Sequence, residues 1–190
     1  MRIDIKATAG SDVLSGAEKG KSLFAALISA TAAEPEGPEP LFLNFAEIEV
    51  ATASFLRESV VALKQYKRAT GSKHYPVLAN INQEVADEVA VLMDARNDVF
   101  PACELSGSSL VSGIRIIGSL DPKQERTFNL VEKMATADAA KLMEQYGKEE
   151  KTTSTTAWNN RLAGLVQRGL IREYTRGRAK FYKPLFERTG

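Results

Sequence analysis

The sequence predicts a mixed α/β protein built from two modules, and three observations carry that expectation. From residue 1 to residue 120, short apolar strand-like runs alternate with helix-like runs, the pattern of helices laid on a sheet. From residue 121 to residue 190, three helical patterns are followed by two short strands. The charge also changes sign between them. Residues 1–120 hold 11 Lys and Arg against 15 Asp and Glu, a net of −4, whereas residues 121–190 hold 14 against 9, a net of +5. The near-neutral total of +1 conceals this split, which suits the second module to a polyanion.

In chain order, "RIDIKAT" reads as a strand and "GKSLFAALISAT" as the body of a helix. "AAEPEGPEP" holds three of the seven prolines and is a surface loop inside the first module, too short for a linker. The strand "LFLNFAE" leads to the helix "SFLRESVVALKQYKR", whose Leu56, Val60 and Leu63 share one face and point inward. A strand "PVLANIN", a helix "QEVADEVAVLMDA" and two strands, "VFPACEL" and "GIRIIGSL", complete a mixed sheet. The boundary falls at "SLDPKQER", where Asp121-Pro122 stops a strand and opens a helix.

The second module begins with two helices, "KQERTFNLVEKM" and "TADAAKLMEQYG", the latter opened by Thr136 as N-cap and closed by Gly147. In "TTAWNNRLAGLVQRG" the helical period gathers Trp158, Leu162, Leu165 and Val166 on an inward face and turns Thr156, Asn160, Gly164 and Gln167 outward. Gly169 ends that helix. "LIREYTRGRAKFYKPL" then reads as two strands turning at Arg176-Gly177, with Phe181 and Tyr182 on opposite faces. From Lys151 onward nine basic residues face only Glu173 and Glu187.

Several function classes find no support. One cysteine, Cys103, forms no internal disulfide, and it and the one histidine, His74, make no metal site, so Cys103 reads as a small buried hydrophobe and His74 as the lead into a strand. No apolar run is long enough to span a membrane, and "MRIDIKATAG" lacks a signal peptide's apolar stretch; the expectation is a cytoplasmic protein. "SGAEKGKS" imitates a phosphate-binding loop, but Ser15 stands where the first glycine belongs. Without paired carboxylates or a nucleophile set, the expectation is a non-enzyme with no cofactor.

Two resemblances sharpen these readings. The Ser/Thr-rich start of the third helix, Arg161-Leu162 with Leu165, the exit Gly169-Leu170-Ile171 and a basic hairpin ending in Tyr182 resemble a winged helix-turn-helix domain over roughly residues 123–187. That resemblance implies double-stranded DNA as partner. The third helix would enter the major groove with Thr155, Thr156, Asn159, Asn160 and Gln167, Arg161 and Arg168 would flank it on phosphates, and Arg176, Arg178 and Lys180 would form the wing. Asn and Gln suit adenine, while Ala163 and Gly164 permit close approach.

In the first module, the strand followed by "NFAEIEVATASFL" and a helix is similar to STAS-like domains, the fold of anti-sigma-factor antagonists. By that match Ser54 occupies the phosphorylation position, although Thr52, Ala53 and Phe55 depart from the pattern. Physically, Ser54 before a helix reads as an N-cap, and both roles stay open. The resemblance gives residues 1–120 a sensing, recruiting or dimerising role, with a homodimer or a protein partner implied. The rival is an adaptor without DNA binding.

Overall fold

Residues 1–107 and 110–186 are described by a computed structural model of mixed α/β class. The chain divides into two units, Met1–Ser119 and Leu120–Gly190. Glu187, one of the two acids of the terminal segment, lies outside the described residues.

The first unit runs β1 (Arg2–Asp4), α1 (Ile5–Ala9), β2 (Val13–Leu14), α2 (Ala17–Ala30), β3 (Glu39–Asn44), β4 (Val50–Ala51), α3 (Ala53–Leu56), a π-helical turn (Arg57–Val61), α4 (Ala62–Ala69), β5 (His74–Ala79), α5 (Gln83–Asp94), β6 (Phe100–Ser106) and β7 (Leu110–Ile117). The sheet order is β1-β3-β5-β6-β7, parallel except for β7, which pairs antiparallel with β6. Because β1, β3, β5 and β6 advance in one direction, right-handed crossovers stack the intervening helices on one face. One apolar cluster joins them, including Leu27, Leu43, Phe55, Val60 and Val89. Leu56, Val60 and Leu63 are fully buried, as their spacing requires.

Two features depart from the sequence expectation here. The apparent strand "RIDIKAT" stops at Asp4, whose carboxylate accepts from the Ala7 amide and caps α1. The helix at Ser54 is not capped by that serine. Its N-cap is Thr52, whose amide donates to the Leu14 carbonyl beside the short β2–β4 ladder, so the helix starts as that ladder ends. Ser54 lies inside the first turn, half-buried, its Oγ 3.2 Å from Thr52 Oγ1.

The loop "AAEPEGPEP" is fastened to β5. Glu34 accepts from the Ser72 hydroxyl and the Lys73 amide, both at 2.7 Å, and His74 Nε2 lies 3.0 Å from the Ala33 carbonyl. Burial alone would raise the Glu34 carboxyl, but those two donors and Lys67 outweigh it and hold it below the usual range. Cys103 is buried, and burial pushes its thiol up to about 11.

Gly20 of the "SGAEKGKS" segment has a packing role. A Cβ there would sit 2.6 Å from the Phe55 carbonyl oxygen, since α2 crosses α3 at that point. Lys21 pairs with Glu18, and the Ser22 hydroxyl donates to the Glu18 carbonyl. Gly20→Ala should therefore destabilise by up to about 2 kcal/mol, an overpacking cost of about 1–3 kcal/mol less the roughly 1 kcal/mol helical gain of alanine. Urea unfolding checks this, and an unchanged midpoint would mean that the crossing relaxes freely.

The second unit runs α6 (Pro122–Met134), α7 (Ala139–Tyr146), α8 (Thr155–Gln167), β8 (Ile171–Arg176) and β9 (Ala179–Pro184). Asp121 caps α6, accepting from the Lys123 and Gln124 amides, with Pro122 at the first helical position. Trp158, Leu162 and Leu165 are fully buried and Val166 half-buried. β8 and β9 form an antiparallel hairpin.

The N-cap of α7 is Asp138, which accepts from the Lys141 amide, and not Thr136. Ala137 exchanges both backbone hydrogen bonds with Tyr182 of β9, so the chain is held extended through Ala137 and the helix begins only after it. The hairpin turns at Gly177-Arg178 rather than at Arg176-Gly177, because Arg176 still pairs with Ala179. Gly177 has φ 63°, as the first position of a type II′ turn demands.

Candidate nucleic-acid interface

The start of α7, the outer face of α8 and β9 enclose an open groove of about 650 Å³. Helical spacing builds its central wall. With Trp158, Leu162 and Leu165 committed to the core, Thr155, Thr156, Asn159, Asn160, Ala163 and Gln167 are left exposed. Asn159, Asn160 and Ala163 line the groove directly, facing Arg178 and Lys180 across it. Tyr182 closes its base; burial, and then Glu173 beside it, push its phenol up to about 12.

Gly164 does not point to solvent. Its open side meets α6, where an added Cβ would fall 2.6 Å from Gln124 Nε2. Ala163 is instead the small residue on the exposed stripe.

The cations sort into two groups. The side chains of Arg176 and Arg178 stand exposed at the hairpin tip and make no ion pair or hydrogen bond among the described residues. Lys180 is exposed but paired with Glu173 at 3.0 Å. Arg168, half-buried at the end of α8, has Nη1 3.4 Å from the Gly164 carbonyl.

Arg161 faces inward. Its side chain is 12% exposed and stacks on the Trp158 ring at 4.8 Å, while its Nη2 donates to Thr152 Oγ1 at 2.7 Å. Its Nη1 lies 3.9 Å from Glu150, which Arg126 of α6 also holds, at 2.8 Å. Trp158 Nε1 donates to the Thr152 carbonyl. These bonds fasten the turn between α7 and α8 to both α6 and α8. Arg161 is thus a brace for the helix pair, not a flank of the groove.

No protein-family model and no curated protein matches this chain. Among the described residues, no group of three or more His, Cys, Asp or Glu could hold a metal ion, and no helix is long and apolar enough to cross a membrane.

Sequence reasoning misses the contribution of α7. Asp138, Ala139 and Ala140 line the groove because the Ala137–Tyr182 bridge draws the helix start against β9. Asp138 is a good capping residue by type, but nothing local distinguishes it from Thr136. Ser54 lies in the other unit.

Proposed function

We propose that the chain is a cytoplasmic DNA-binding regulator. In this reading residues 120–190 are a winged helix-turn-helix module, and residues 1–119 are a STAS-like module that senses, recruits or dimerises. One observation carries the DNA reading. An exposed stripe of amides and hydroxyls on α8 lies beside a hairpin whose tip bears two arginines with side chains that engage no described residue. That pairing supplies the two requirements of duplex recognition, hydrogen-bonding groups for base edges and cations for phosphates. The acidic first module, net −4, is a poor polyanion binder and leaves nucleic-acid contact to the second. Ser54 is the residue through which phosphorylation would act on the first module.

The test is binding of the full-length chain to fluorescent duplex DNA across a salt series. The expected result is a log affinity that falls linearly with log salt concentration, with a slope of about 0.9 per phosphate neutralised. Absence of binding at low salt would favour the protein-adaptor alternative.

A further inference from the structure

The exposed stripe of α8 carries no cation. Thr155, Thr156, Asn159, Asn160, Ala163 and Gln167 offer two hydroxyls, three amides and a methyl group. Arginine to guanine is the commonest specific base contact in the major groove, and it needs a guanidinium free to extend. Neither arginine carried by α8 or its C-terminal cap meets that need. Arg161 is engaged with Thr152, Glu150 and the Trp158 ring, and Arg168 is half-buried against the Gly164 carbonyl. What remains suits the other base pair. An amide side chain pairs bidentately with adenine N6 and N7, and an exposed methyl packs against the thymine methyl.

We propose that α8 reads A·T base pairs. Asn159 and Asn160 take adenine edges, and Ala163, one turn on, sits against a thymine methyl. The cationic contacts come from Arg176 and Arg178 and fall on phosphates, where they position the module without selecting sequence. Asn160 and Gln167 are separated by two helical turns, a rise of roughly 10 Å, which spans about three base-pair steps. The readable core of each site is therefore a short A·T block of about that length. Asp138, the acid in the groove wall, accepts from the Lys141 amide as the cap of α7 and lies 3.9 Å from the Lys141 ammonium. This proposal rests on the DNA reading above and adds the class of sequence to it.

The experiment is selection of bound duplexes from a random pool by the full-length protein, followed by anisotropy titrations of the recovered site. Adjacent A·T pairs should dominate the selected core, and exchanging one for G·C should weaken binding at least about fivefold. Asn160→Ala, a change at an exposed position, should cut the preference for the selected site over random DNA by a similar factor. A core fixed as G·C would overturn the proposal, as would salt-dependent binding with no sequence preference. Both of those results leave DNA binding standing. Failure to bind any duplex at low salt would instead overturn the DNA reading, and this inference with it.

Discussion

Replacing Arg176 and Arg178 together with alanine should weaken binding to every duplex alike, by about tenfold to a hundredfold, if each forms one charge-assisted phosphate contact. The slope of log affinity against log salt should fall by roughly two, one for each arginine removed. Both side chains are exposed and engage no described residue, so their truncation leaves the folded unit intact. Stability should hold while affinity drops. Arg161→Ala supplies the contrast. Its guanidinium braces the α7–α8 turn, so that variant should lose stability and some affinity while keeping the salt slope of the parent. An unchanged slope in the double variant would remove the hairpin from the interface, and a reduced slope in Arg161→Ala would restore Arg161 as a phosphate contact.

That contrast marks where sequence reasoning reaches and where it stops. The periodicity that buries Trp158, Leu162 and Leu165 is local, and it is enough to define which stripe of α8 is exposed. The basic hairpin is equally legible, since two strands and a glycine turn announce themselves within a dozen residues. Helical spacing misplaces Arg161 because its partners, Glu150 and Thr152, lie outside its own helix, in the preceding turn. It misplaces Gly164 for a related reason. That glycine sits on the flank of the stripe, and only the approach of Gln124 from α6 decides whether the flank is solvent or contact. Thr136 yields the capping role because of a bridge to Tyr182, 45 residues away from Ala137 in sequence. In the first unit Ser54 yields the same role to Thr52, because the two-residue ladder of β2 and β4 is too short to leave a pattern. Each of these errors concerns tertiary partners, not propensity.

Asp98→Ala should be the most damaging of these substitutions, costing about 3–5 kcal/mol. Lys64 on α4 is 2% exposed, and its Nζ is paired with the Asp98 carboxylate above the Phe100 ring. Removing the carboxylate takes the Asp98 partner from a buried Nζ in a low-dielectric setting, whereas removing the lysine leaves Asp98, which is 22% exposed and can be hydrated. The two halves of the pair should therefore respond unequally. Lys64→Met keeps the volume and the packing on Phe100, and is expected to be near neutral or stabilising. Asp98 also accepts from the Val99 amide at 2.8 Å, so Asp98→Asn separates the two effects by retaining an acceptor without the charge. If the buried ammonium sets the cost, Asp98→Asn should lose most of what Asp98→Ala loses. The measurement must follow the first unit itself. The single tryptophan, Trp158, lies in the second unit, so its fluorescence is the wrong probe. Hydrogen exchange at amides of β5 and β6 in the intact chain gives the free energy directly. A loss in Asp98→Asn under a third of that in Asp98→Ala would assign the cost to the Val99 hydrogen bond and leave the ion pair a minor contributor.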